Sequence, residues 1–140
     1  MKGKVLFLGT GGSLGVPLVG CDCSICLSSS PFNKRLRPSI LLSFEQKKIL
    51  VDVGPDFREQ ALKYTIKTLD GLILTHTHYD HISGIDELRV YAYEKQKHLP
   101  CLLSDTSWKD IEDRYDYLVK KRNFSPQILA ENTGHTTFQG

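Results

Sequence analysis

The stretch Leu72-Ile73-Leu74-Thr75-His76-Thr77-His78-Tyr79-Asp80-His81 decides how this chain is read. It holds three histidines and one aspartate within residues 76–81, directly after an apolar run. An apolar run ending in such a cluster predicts a buried strand, over 71–75, that delivers a polar turn. Side chains alternate along a strand, so His76 and His78 are expected on one side. The turn then swings Asp80 and His81 to a second position close by. Imidazole and carboxylate together suit zinc, manganese or iron. Two pairs of donors on one turn predict two adjacent ions. A surface turn can carry histidines by chance, but this order of residues after a strand is far more specific than a lone His-x-His.

A second donor cluster stands at Cys21, Cys23 and Cys26. Three thiols cannot all pair with one another, so metal binding is preferred to disulfides. Cys101 stands alone in an apolar stretch and is expected to be a small core residue.

The rest of the chain supplies a layered frame. Strands are expected over 5–8, 39–44, 47–53, 71–75 and 100–103, with Glu45-Gln46 turning a hairpin between the second and third. Helices are expected from Pro55 through 64, with Phe57 and Ala61 on its buried face, and over about 82–97, with Ser83 as N-cap and Ile85, Leu88 and Ala92 as its apolar stripe. A third helix, capped by Asp105 or Thr106, is expected to run to about 122. On it Trp108, Ile111, Tyr115 and Leu118 face the core, while Lys109, Asp110, Glu112 and Asp113 form a solvated face. Residues 123–140 are polar and weakly patterned. Mixed strands and helices of this kind predict an α/β layered sheet.

Composition narrows the partners. A net charge of +2 is too small to imply nucleic acid or an anionic membrane. No apolar run approaches the ~20 residues that span a bilayer, and the apolar run at 5–8 is too short for a signal peptide. A cytoplasmic protein is expected.

Several segments, taken in order, resemble one family. They are Gly9-Thr10-Gly11-Gly12-Ser13-Leu14-Gly15-Val16-Pro17, the cysteine cluster, Asn33 to Ser39 with Arg35, Arg37 and Pro38, Val51-Asp52-Val53-Gly54-Pro55-Asp56-Phe57-Arg58, the histidine turn, and Gly84 to Arg89. Together they resemble the metallo-β-lactamase superfamily, and within it the PhnP-type phosphodiesterases, relatives of tRNase Z. The resemblance implies an αββα sandwich, of which residues 1–140 would be the N-terminal part, with 17–37 a cysteine-containing insertion. It implies hydrolysis of small, cyclic phosphodiesters by hydroxide held between two divalent ions, zinc or manganese. His76 and His78 would hold one ion, and Asp80 and His81 the other. Asp80 would also take a catalytic role and relay a proton. Asp52 would orient the ligands, although its place before Pro55 also suits a helix cap. Cys21, Cys23 and Cys26 would hold a structural zinc.

The family's chains are longer and supply a further His, a bridging Asp and a last His for the active site, and a fourth ligand for the structural zinc. Here only His98 and His135 remain, with His98 expected on the surface. A fragment of a dinuclear phosphodiesterase is therefore expected, inactive or weak alone and with one sheet face uncovered. The alternative is a non-catalytic metal-binding or interaction module that pairs with itself or another chain. Thioester or lactone hydrolysis, and a tRNA-processing endonuclease-like activity, are the other enzymatic readings. Arg35, Arg37 and Arg58 could pair with phosphate, but surface or salt-bridged arginines are the preferred reading. The glycines at 9, 11, 12 and 15 lack a P-loop ending, so a turn making room for the metal site is expected.

Overall fold

A computed structural model describes residues 2–95, 98–120 and 124–129. Six strands form one sheet in sequence order: β1 (Gly3–Gly9), β2 (Ser39–Phe44), β3 (Lys47–Val51), β4 (Gly71–Ile73), β5 (Leu99–Ser104) and β6 (Phe124–Leu129). The first three pair antiparallel, and from β3 onward every pairing is parallel. The change follows from the connections. Glu45 and Gln46 close a hairpin, Glu45 at φ 54°. Parallel strands need longer crossovers, which are helical here.

The crossovers are α1 (Phe57–Lys63), then α2 (Tyr79–Ile82) with a 3-10 turn (Ile85–Leu88) and α3 (Arg89–Lys95), then α4 (Asp105–Arg114) and α5 (Asp116–Lys120). Within the expected helix over 82–97 lie the 3-10 turn and, directly after it, α3, while α2 ends where that helix was expected to begin. Ser83 ends α2 instead of capping a helix start, because Gly84 interrupts the backbone there. The third expected helix also breaks, at Tyr115, and its N-cap is Ser104, whose Oγ accepts from the Ser107 N–H at 3.1 Å. The residues expected in the core are there: Phe57, Ile85, Leu88, Ala92, Cys101, Ile111 and Leu118 are buried, with Ala61, Trp108 and Tyr115 packed against them. Strand β6 lies in the segment read as unpatterned, since Ser125, Pro126 and Gln127 hide the strand signal.

Register aligns two apolar rows across five strands. Leu6, Leu41, Leu50, Leu72 and Cys101 are paired in turn, and all but half-buried Leu6 are buried. The alternate row, Phe7, Ile40, Val51, Ile73 and Leu102, carries no buried residue, and Phe7 is 59% exposed. Sheets with parallel strands normally bury both faces, so the second face is apolar without a full cover among the described residues. No helix among the described residues is long and apolar enough to cross a membrane.

The site's position follows from strand direction. Strands β1 and β3 both run antiparallel to β2, so Gly9, Ser39 and the residue after Val51 meet at one edge. There Ser39 Oγ donates to the Asp52 carbonyl at 2.8 Å. The parallel β4 ends at the same edge, and sheet enzymes use this edge for their sites.

Candidate metal centre

Asp52 organises the edge. It follows β3 directly, and its backbone takes φ 58°, a left-handed conformation that aspartate tolerates better than most residues. Its buried carboxylate is fully engaged: Oδ1 accepts from the Thr75 N–H and Oδ2 from the Thr75 hydroxyl, each at 2.8 Å, and Oδ2 lies 2.8 Å from His81 Nδ1. It caps no helix; the N-cap of α1 is Asp56.

These bonds set the histidine tautomers. A carboxylate accepts, so His81 donates through Nδ1 and presents Nε2 outward. The Thr75 hydroxyl gives its one proton to Asp52, so it accepts from His76 Nδ1 at 3.0 Å, and His76 also presents Nε2. His81 Nε2 then faces Asp80 Oδ2 at 3.3 Å. Two lone-pair atoms facing at that distance call for a proton or a cation between them, which is how the donor set fits a metal ion.

The predicted residues come together in pairs, with no three of their donor atoms within 4.8 Å of one another. The His76 ring centroid lies 4.6 Å from that of His78 and 4.1 Å from that of His81. Asp80 is buried, His76 and His81 are half-buried, and His78 is exposed. The turn is also stitched to the loop after β3. Val53 N–H donates to the His81 carbonyl at 2.7 Å, and Gly84 N–H to the Val53 carbonyl at 2.9 Å. This closeness needs glycine: a Cβ on Gly54 would lie 2.1 Å from the Asp80 carbonyl oxygen.

The thiols of Cys21, Cys23 and Cys26 form the only set among the described residues with three such donor atoms all within 4.8 Å of one another. All three are free thiols. Cys23 is lowered to about 7, chiefly by the Cys26 N–H and then by the thiols of Cys21 and Cys26. The trio fits a thiophilic cation lacking one ligand, since closed zinc sites take four.

Other expectations resolve differently. Arg37 is bound to Asp56, at 3.0 Å through Nη2 and 2.7 Å through its backbone N–H. Arg35 donates to the Phe32 carbonyl, and Arg58 is exposed on α1. Gly9 and Gly11 make room for backbone: Cβ atoms there would lie 2.1 Å from the Arg37 carbonyl and 2.7 Å from the Arg35 carbonyl. His98 is exposed, and His135 lies outside the described residues. Asp110, expected on a solvated face, instead accepts from the Thr77 hydroxyl at 2.6 Å. Only the i,i+4 spacing to Arg114 hinted at a role for it.

The chain belongs to the beta-lactamase superfamily domain family, whose model matches residues 47–139, and its fold is the metallo-β-lactamase fold, which implies divalent metals. The sheet and helices are those of the N-terminal part of that fold. A solved diphosphatase of the PhnP family superposes with a TM-score of 0.88 at 34% identity, over 94% of this chain and 52% of that one. An octanoyltransferase of Porphyromonas gingivalis is 39% identical over 86% of this chain and 24% of its own length. A ribonuclease Z of Methanopyrus kandleri is 32% identical over 56% of this chain and 23% of its own. The chain thus spans about half of the solved diphosphatase and about a quarter of these two curated relatives.

Proposed function

We propose that this chain carries the metal-binding part of a phosphodiesterase for small, including cyclic, phosphodiesters. The observation that carries the reading is the orientation of His81, bound at Nδ1 by Asp52 and facing Asp80 with Nε2. His76 and His78, with Asp80 and His81, would hold two divalent ions, zinc or manganese, while Cys21, Cys23 and Cys26 would hold a structural zinc. Such ions would activate water and neutralise the charge that develops on a phosphodiester. Asp52 keeps two imidazoles in the tautomer that can bind a cation, and Asp80 Oδ2 would relay the proton of the attacking water. The likeness to a PhnP-family diphosphatase and to a ribonuclease Z supports phosphorus over thioester or lactone carbonyls as the target.

The test is hydrolysis of bis(p-nitrophenyl) phosphate and of a small cyclic phosphodiester by the chain loaded with zinc or manganese. Because the chain spans about half of that diphosphatase, slow turnover is expected. It should vanish in H81A. Turnover that H81A leaves unchanged would contradict the reading.

A second reading, a metal-binding module that pairs with another copy of itself, draws on the open row of Phe7, Ile40, Val51, Ile73 and Leu102. Metal uptake with no turnover, in a dimer, would favour it.

A further inference from the structure

We propose that Asp110 and Arg114 of α4 are positioning residues for the histidine turn, acting through Thr77. The proposal rests on reading that turn as a metal site. Thr77 stands between His76 and His78 and is held at two atoms by one helix. Its hydroxyl donates to Asp110 Oδ2 at 2.6 Å, and its carbonyl accepts from Arg114 Nη1 at 2.9 Å. Arg114 Nη2 also reaches Asp110 Oδ2, at 3.4 Å, across one helical turn. The guanidinium therefore spans the acceptor of the hydroxyl and the carbonyl of the same residue, a use of its fixed fork that lysine cannot copy.

Solvent exposure argues against a mainly stabilising role. The Arg114 and Asp110 side chains are 52% and 40% exposed, and ion pairs this wet contribute little to stability. What the pair does fix is the backbone between two ligands. Asp52 grips Thr75 from the end of β3, and α4 grips Thr77, so His76 lies between two anchored residues. Ligands held in this way bind metal more tightly, because less freedom is lost on coordination, and removing such a partner typically weakens affinity 10–100-fold.

The test is a cobalt(II) titration of the full 140-residue chain and of T77V, D110A and T77S. Ligand-field bands are read in protein whose cysteine trio is already filled with zinc, so that they report the histidine turn, while thiolate charge-transfer bands of the cysteine trio in metal-free protein serve as a control. Amide exchange at His78 and His81 is followed in the metal-free proteins. T77V and D110A should bind cobalt at the histidines about tenfold more weakly, exchange these amides faster and leave the thiolate bands unchanged. T77S, which keeps the hydroxyl, should restore both readouts. Affinity and exchange unchanged in T77V and D110A would overturn the proposal. If the wild-type chain binds no cobalt at the histidines, the metal-site reading fails. The exchange data alone then decide: faster exchange in both variants upholds the brace, and unchanged exchange overturns it.

Discussion

Asp52 and His81 lie 29 residues apart in sequence and meet at 2.8 Å, carboxylate Oδ2 against imidazole Nδ1. One arm of the contact is the loop after β3 and the other is the helical turn after β4. Their parallel pairing, Leu50 with Leu72 and Val51 with Ile73, brings the two strand ends side by side. The contact therefore depends on the sheet, and it fixes which nitrogen His81 offers to a cation.

Replacing Asp52 by Asn tests that dependence. An amide offers one acceptor oxygen, so it cannot serve the Thr75 N–H, the Thr75 hydroxyl and His81 Nδ1 together. Metal affinity at the histidines should fall about 10–100-fold. Isothermal titration with zinc, in protein whose cysteine trio is already filled, measures it.

Gly54 should tolerate no side chain. A Cβ there would stand 2.1 Å from the Asp80 carbonyl oxygen, which belongs to the turn's own backbone and cannot swing aside. G54A should cost about 1–3 kcal/mol of stability, as overpacking does, and displace Asp80 and His81. Urea unfolding measures the first effect and zinc affinity the second. Gly84, whose Cβ would meet the Gly54 carbonyl at 2.2 Å, should behave alike.

The thiols predict a pH dependence. In metal-free protein Cys23, lowered to about 7, should be alkylated by iodoacetamide with a rate that rises through pH 7. Burial raises Cys101 to about 12, so in the native state it should stay unreactive over that range. The sign for stability is opposite to that of a favoured thiolate. Above the ordinary value of 9.0 the unfolded chain loses the Cys101 proton while the folded chain keeps it. Stability should therefore fall by up to about 1.4 kcal/mol per pH unit from pH 9 upward on this account. C101A should reduce that slope in urea titrations.

The open sheet face predicts a contrast between its two apolar rows. Phe7 is 59% exposed, so F7K should change the stability of this chain by less than about 0.5 kcal/mol. Leu50 is fully buried, and L50A should cost about 2–5 kcal/mol. If the face pairs two copies, F7K should also shift the sedimentation coefficient toward the monomer.

Much of this was legible in the sequence, and the parts that were not share a physical cause. The apolar runs at Leu41–Leu42, Ile49–Val51 and Leu72–Leu74 announce strands by local pattern, and the histidine turn announces its chemistry by residue type. Asp52 was readable because it ends such a run. Helix continuity was not readable, since the breaks at Gly84 and Tyr115 come from packing against the loop after β3 and from a local backbone turn, with no proline to mark them. Asp110 was hidden for another reason. Its neighbours Lys109, Glu112 and Asp113 make the segment look uniformly solvated, and only the fold brings Thr77 to it across 33 residues. The glycines before the cysteines were recognisable as a flexible turn, but what Gly9 and Gly11 accommodate, the carbonyls of Arg37 and Arg35, is a long-range contact.

Metal content decides whether the histidine turn holds a cation in this chain. The 140-residue chain is loaded with zinc and passed through gel filtration. Its zinc-to-protein ratio is then compared with those of an H76A/H81A variant and of a variant with Cys21, Cys23 and Cys26 changed to Ser. Each variant should hold less zinc than the wild type, because two separate donor sets bind metal. A wild-type ratio that H76A/H81A leaves unchanged would contradict it, and the turn of His76, His78, Asp80 and His81 would then not be a metal centre in this chain.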